Sequence, residues 1–178
     1  MKNPSPAISL PWMLGSIHRT IALGFGSGLS RFAPGTAGTL LAWVLYLAIQ
    51  SISSNTVIVL LLILGLIYGC WACGICSKEL GLPDHGSIVW DEIIAFWLIL
   101  FCIGPTSFAI QAIAFAVFRF LDAIKPWPIS WVDRYFKKNV RTNSTRGVIW
   151  HGFGIMADDL VAALFTIILI LIIANWFA

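Results

Sequence analysis

Four long apolar runs constrain the fold of this chain more than any other feature. They cover about residues 39–52, 56–76, 93–121 and 160–177. A helix needs roughly 20 apolar residues to cross a bilayer, so the third run is long enough for two crossings. The sequence GPTS at 104–107 is a strong turn signal within that run. The pattern therefore predicts about five transmembrane helices, the first of them short.

The composition supports this interpretation. Of 178 residues, 59% are hydrophobic and only 11% are charged, which excludes an ordinary soluble domain. We predict an all-α, polytopic membrane helical bundle that forms one domain over 1–178. Residues 1–38 are expected to form a cytoplasmic and interfacial segment that contains a helix, and residues 122–157 a cytoplasmic loop. No cleaved signal peptide is expected at the N-terminus.

The charged residues are predicted to lie on one side of the membrane. All 11 Lys and Arg and all 8 Asp and Glu fall before the first helix, between the second and third, or between the fourth and fifth. Two crossings separate each of these segments from the next, so the three share a face. The positive-inside rule assigns that face to the cytoplasm, with the N-terminus inside and the C-terminus outside. The net charge of +3 favours contact with anionic lipid over nucleic acid.

A segment rich in glycine, serine and threonine, GFGSGLSRFAPGTAGTL, leads into the first run. Glycines let backbone N–H groups approach an anion closely, and a helix N-terminus adds a favourable dipole. Ser27, Thr36 and Thr39 are therefore candidate phosphate ligands. Alternatively, the segment is a tight turn whose glycines permit close helix packing. The segment by itself leaves both interpretations open.

Two acids, Asp91 and Glu92, lie at the mouth of the third predicted helix, where an unpaired carboxylate is costly to desolvate. They point about 100° apart, so they can share a cation only if a neighbouring helix lies between them. Favourable interaction with the helix dipole explains one acid there but not two. His85, in the preceding loop, is a candidate substrate contact.

A mixed-charge cluster ends the fourth predicted helix. Arg119 and Asp122 share a face at i,i+3, and Lys125 follows one turn later. The cluster offers a carboxylate for a metal and two cations for phosphate oxygens. Alternatively, it is an ion pair with a snorkelling lysine. Asp133 is expected at the surface.

A second pair of acids, Asp158 and Asp159, heads the last apolar run. Acids in the first turn of a helix are common, but this pair repeats the arrangement of the third helix. The clustered carboxylates need a cation, and oxygen-only ligands favour Mg²⁺. The candidate metal ligands are Asp91, Glu92, Asp122, Asp158 and Asp159. Mg²⁺ with flanking Arg and Lys suits phosphoryl transfer or phosphate ester hydrolysis.

Five ordered motifs, GFGSGLS, PGTAGTL, DHGSIVWDE, RFLDAIKPWPISWVDR and GIMADDLVA, resemble the bacterial phosphatidylglycerophosphatase A family. The resemblance implies a Mg²⁺-dependent lipid phosphatase of the bacterial inner membrane. It implies conversion of phosphatidylglycerophosphate to phosphatidylglycerol and phosphate, a step of phospholipid biosynthesis. The residues expected to be catalytic are Asp91, Asp122, Lys125 and Asp159. The residues expected to contact substrate phosphate are Ser27, Thr36, Thr39, His85, Arg119 and Lys125.

Two chemical routes and two rival functions stay open at this point. An activated water could attack the phosphate, or an aspartyl-phosphate could form first. Another lipid phosphotransferase would also need membrane-edge acids and Mg²⁺, but its usual spaced acidic run is absent. A transporter for a divalent cation or phosphate would place polar groups near mid-membrane. The expected partners are the lipid substrate and membrane lipids, not nucleic acid.

Overall fold

A computed structural model describes residues 7–138 and 144–176, and the side chains up to residue 174. Within these residues the chain forms eight α-helices and one 3₁₀ segment, with no β-strand, so the all-α prediction is confirmed. The helices are α1 (Leu10–Leu14), α2 (Ile17–Ala22), α3 (Pro34–Ile52), α4 (Asn55–Leu80), α5 (Trp90–Ile103), α6 (Phe108–Ile124), α7 (Ile129–Lys138) and α8 (Thr145–Trp176), and the 3₁₀ segment is Gly24–Leu29.

Among the described helices, three are long and apolar enough to cross a membrane, namely α3, α4 and α8. The chain is therefore a membrane protein, while the count of five crossings stays a prediction because α5 and α6 have only 14 and 17 residues. The predicted turn between those two helices is confirmed. Gly104 takes a φ of 70°, which ends α5, and the Ser107 hydroxyl accepts a hydrogen bond from the Ile110 N–H to begin α6.

The last helix begins much earlier than its apolar run. α8 starts at Thr145, so the expected loop 122–157 contains α7 and the first part of α8, while residues 139–143 lie outside the described part. Asp158 and Asp159 are consequently in the helix interior, and the expectation that they head the helix is wrong. The hydropathy pattern did not reveal this start because the first part of α8 packs against other helices of the protein. Polar residues are tolerated there, so that part of the helix does not have to be continuously apolar.

The central helix of the bundle is α8, which packs against α4, α5, α6 and α7. Its closest approach to α4 is made by two glycines, Gly74 and Gly152. A Cβ added to Gly152 would overlap the Cys70 carbonyl, and one added to Gly74 would overlap the Val148 carbonyl. Small residues of this kind let two helix backbones approach closely. This approach holds the acidic part of α8 inside the bundle.

The glycine-rich segment 24–40, which includes the start of α3, packs closely against another part of the chain, as the second of its two interpretations expects. A Cβ added to Gly28 would overlap the Ser87 carbonyl, and one added to Gly38 would lie 2.8 Å from the Val89 Cβ. Gly24 has a φ of 54°, a left-handed conformation that glycine adopts without strain. The segment therefore packs against the residues that immediately precede α5.

Candidate metal and phosphate site

Five carboxylates from three helices converge on one buried site, which we call the acid cluster. Its members are Asp91 and Glu92 of α5, Asp122 of α6, and Asp158 and Asp159 of α8, and each is less than 10% exposed. They form two sets of three residues, and within each set one carboxylate oxygen of every member lies within 4.8 Å of the others. One group contains Asp91, Glu92 and Asp159, and the other contains Asp122, Asp158 and Asp159. Asp159 belongs to both, so α8 joins the two groups.

The donor set of the acid cluster fits a hard divalent cation. Asp91 Oδ1 and Glu92 Oε2 are buried, and neither has a hydrogen-bond partner among the described residues. Burying a carboxylate oxygen without a donor is costly, and the nearby like charges add to that cost. Mg²⁺ prefers carboxylate oxygens and would remove both costs. The residues best placed to hold it are Asp91, Glu92, Asp122, Asp158 and Asp159.

Arg119 connects the two halves of the acid cluster. Its Nη1 lies 2.8 Å from Asp122 Oδ2 and 3.3 Å from Glu92 Oε1. The same nitrogen is 3.5 Å from the hydroxyl of Thr39, which in turn donates to the Gly35 carbonyl over 2.8 Å. Arg119 Nε is buried and has no hydrogen-bond partner among the described residues, so one donor of the guanidinium group is unused.

Lys125 enters the acid cluster from the end of α6. Its backbone takes a left-handed conformation with a φ of 47°, and its ammonium group contacts Asp158 and lies 3.1 Å from Asp133 Oδ1. Lys137 lies 2.8 Å from the same Asp133 oxygen and 3.0 Å from Asp84 Oδ2. Asp133, which was expected at the surface, is partly buried, with 16% of its side chain exposed. A row of alternating charges thus joins α7 to the acid cluster.

The ion pairs on α7 shift the pKa of both partners. Burial by itself would raise the pKa of Asp133, but the hydrogen bond from Lys137 and the charge of Lys125 outweigh it and lower that pKa below its usual value. Burial by itself would lower the pKa of Lys137, but its contacts with Asp133 and Asp84 raise that pKa above its usual value. Both groups are therefore charged at neutral pH.

Three predicted phosphate contacts are not joined to the acid cluster by any described hydrogen bond. The Ser27 hydroxyl donates to the Gly24 carbonyl within its own turn, over 2.8 Å. His85 Nδ1 accepts from the Ser87 N–H over 3.1 Å. Thr36 is half-buried in the first turn of α3. Their roles stay predictions, whereas Thr39, Arg119 and Lys125 lie in contact with cluster residues or with one another.

Two features of the site escaped the sequence analysis. A Cβ added to Gly35 would overlap Glu92 Oε1 and lie 2.7 Å from Arg119 Nη2, so this glycine makes room for their ion pair. Buried His151 lies 2.8 Å from the Ser77 hydroxyl, which is also 2.6 Å from the Leu82 carbonyl. The seven-residue spacing of His151 and Asp158 places both on one face of α8, which was the available signal.

The fold and the site define the class of this protein: an all-helical membrane protein with a buried cluster of carboxylates flanked by arginine and lysine. The family model for phosphatidylglycerophosphatase A matches residues 20–174. The chain belongs to the phosphatidylglycerophosphatase A family. It is therefore an enzyme of the phosphoric monoester hydrolase class.

The named relatives cover most of the chain. It is 38% identical to phosphatidylglycerophosphatase A of Haemophilus influenzae, over 98% of this chain and 96% of the relative. It is 41% identical to phosphatidylglycerophosphatase A of Escherichia coli, over 87% of this chain and 78% of the relative. A provisionally named phosphatidylinositol-3-phosphatase of Bacteroides thetaiotaomicron is 31% identical, over 99% of this chain and 98% of the relative. No solved structure matches the chain.

Proposed function

We propose that this enzyme hydrolyses the terminal phosphate of phosphatidylglycerophosphate to give phosphatidylglycerol and phosphate, in phospholipid biosynthesis, and that it requires Mg²⁺. One observation carries the metal requirement: Asp159 belongs to both sets of three carboxylates, and one oxygen each of Asp91 and Glu92 is buried with no hydrogen-bond partner in the described part of the chain. Family membership supports the lipid substrate.

Each charged group has a separate part in this proposal. Members of the acid cluster would hold Mg²⁺, and the bound ion would neutralise negative charge on the phosphate. Arg119 and Lys125 stabilise the charge that develops on the remaining phosphate oxygens, because both approach the cluster from α6. The Asp133 carboxylate keeps the Lys125 ammonium at the edge of the cluster. Burial of the carboxylates limits bulk water around the reacting group, which strengthens these interactions.

We also propose that the protein is a multi-pass component of the bacterial inner membrane with the acid cluster on the cytoplasmic face. The distribution of Lys and Arg supports this orientation. Cysteine-accessibility labelling in intact cells and in inverted vesicles tests it, using a single cysteine placed at Gly86 after the natural ones are replaced. Labelling of that cysteine in intact cells by an impermeant reagent would overturn the orientation.

The decisive experiment is phosphate release by the purified protein in detergent micelles. Phosphatidylglycerophosphate is compared with phosphatidylinositol 3-phosphate, each with Mg²⁺ and with EDTA. We expect release from phosphatidylglycerophosphate that EDTA abolishes and Mg²⁺ restores. Preference for the inositol lipid would instead assign the substrate named for the third relative. Folded protein that releases phosphate from neither lipid would contradict the proposed function.

A further inference from the structure

An apolar groove lies between α4 and α5, on the side of α5 that carries Asp91. Its walls are four residues of α4 between Val59 and Leu66, four of α5 between Ile94 and Cys102, and Leu160 of α8. The groove has a volume of about 300 Å³, and every lining side chain is apolar. We call it the α4–α5 groove.

The helical spacing connects the groove to the acid cluster. Asp91, Ile94 and Leu98 follow one another at i, i+3 and i+7, so they lie on one face of α5. On α8, the groove residue Leu160 directly follows Asp159, which belongs to both carboxylate groups. Two of the three helices that supply the cluster therefore also line the groove, which begins about one turn further along on α5.

The end of the groove nearest the cluster is fixed by a close contact between α4 and α5. The Trp90 indole N–H donates to the Gly65 carbonyl over 2.9 Å, and a Cβ added to Gly65 would overlap Ile94 Cδ1. Beyond this contact the α4 side chains leave a space beside Leu98, and this space is the groove. The groove is thus a shaped feature with a defined end.

The dimensions of the groove fit a lipid tail. Ile94 and Cys102 are eight residues apart, which corresponds to roughly 12 Å of helix. One leaflet of the hydrocarbon core is about 15 Å deep, so the groove accompanies most of one acyl chain. Ile63 is 50% exposed at its rim, which leaves the groove open to the bilayer from the side.

We propose that the α4–α5 groove binds one acyl chain of the lipid substrate and so places its headgroup at the acid cluster. This inference rests on the proposed function for the identity of the lipid. The occupant is a substrate chain, not an ordinary bilayer lipid, because the groove continues the face of α5 that carries Asp91, and its α8 residue, Leu160, directly follows Asp159. The apolar walls fit a saturated or monounsaturated hydrocarbon chain and offer no partner to a polar tail.

Photo-crosslinking tests the occupant without depending on turnover. The probe is a non-hydrolysable phosphonate analogue of phosphatidylglycerophosphate with a diazirine halfway along one acyl chain, used with Mg²⁺ and with mass spectrometry to map the labelled residues. The control probe is phosphatidylcholine with the same modified chain. We expect the phosphorylated probe to label groove residues several-fold more than the control probe does. Equal labelling of the groove by both probes would overturn the proposal, because it would mark an ordinary lipid crevice.

Filling the groove gives a second, independent test. Leu98→Trp should raise the KM for a long-chain substrate several-fold and leave the KM for a dihexanoyl substrate unchanged, since the short chains do not reach Leu98. Leu62→Trp fills the groove from α4 and serves if the first variant does not fold. Leu64→Trp is the matched control on α4, because Leu64 is 60% exposed and does not line the groove. A KM that rises equally for both chain lengths, or equally in the control, would contradict the proposal.

The outcomes also separate this inference from the proposed function. Selective labelling of the groove in a protein that releases no phosphate would leave the lipid site standing and remove the proposed activity. Mg²⁺-dependent phosphate release with uniform labelling would do the reverse.

Discussion

The ammonium group of Lys125 donates a hydrogen bond to Asp133 Oδ1 over 3.1 Å, and so joins the end of α6 to α7. Lys137 donates to the same oxygen over 2.8 Å. One carboxylate therefore holds two lysines, one of which reaches the acid cluster. This arrangement makes Asp133 a positioning residue for Lys125, although α7 contributes no carboxylate to the cluster.

Replacing Asp133 should lower activity through Lys125. We expect Asp133→Asn to reduce kcat/KM by about tenfold, as is typical when a group that orients a functional residue is lost. The measurement is phosphate release with Mg²⁺. Arg134→Gln is the control on the same helix, because Arg134 is exposed and its guanidinium donates to Ser130 of its own helix. In a Lys125→Met background, Asp133→Asn should have no further effect, whereas independent effects would contradict the positioning role.

The same carboxylate should produce a defined pH dependence of stability. The lysines lower the pKa of Asp133 in the folded state, so its stabilising contribution is complete above the ordinary carboxyl value of about 3.9. That contribution is lost as the pH falls through the lowered folded-state pKa. We therefore expect wild type to unfold at a higher temperature than Asp133→Asn at pH 7 and the difference to shrink in acid. A difference that grows as the pH falls would have the wrong sign.

Neutralising Asp159 should have opposite effects with and without metal. In EDTA, Asp159→Asn removes one of several crowded buried charges, so we expect the unfolding temperature to rise. With Mg²⁺, wild type should gain about 2.7 kcal/mol when the ion is at 100 times its Kd, and the variant should gain little. Thermal unfolding in detergent measures both effects. Asp84→Asn is the control, because Asp84 pairs with Lys137 outside the cluster and should keep the Mg²⁺ response.

Adding one methyl group at Gly35 should disturb the acid cluster. The new Cβ would overlap Glu92 Oε1, so the Glu92–Arg119 ion pair would have to move. We expect Gly35→Ala to cost about 1–3 kcal/mol of stability and to lower kcat/KM. Gly86→Ala is the matched control, since a Cβ there meets nothing within 4 Å. Equal activity and stability in the two variants would show that Glu92 does not need its present position.

The packing of α4 against α8 should be equally sensitive to one methyl group. A Cβ at Gly152 would meet the Cys70 carbonyl, and backbone atoms in a helix cannot rotate away as a side chain can. We expect Gly152→Ala to destabilise the protein by about 1–3 kcal/mol or more, measured by thermal unfolding. An unfolding temperature equal to that of Gly86→Ala would mean that the two helices are less closely packed than the structure has them.

The sequence by itself determined the class of fold and the residue types of the site. Long apolar runs require backbone hydrogen bonds to be satisfied within each segment, so they specify helices without any knowledge of packing. The turn at Gly104 followed from local conformational preference, and the carboxylates were conspicuous because charge is rare in such a chain. The same rarity, together with the ordered motifs, pointed to the family that the comparisons then established.

Only the tertiary structure decided which of those residues meet. Asp159 belongs to both sets of three carboxylates because of the level at which α8 packs against α5 and α6. The close contact of Gly74 with α8 sets that level. The start of α8, the partial burial of Asp133 and the α4–α5 groove likewise depend on contacts between residues far apart in sequence. Apolar periodicity reports which face of a helix avoids water, but not which helix lies against that face. That difference is the physical reason why the residue types of the site could be predicted from the sequence and their geometry could not.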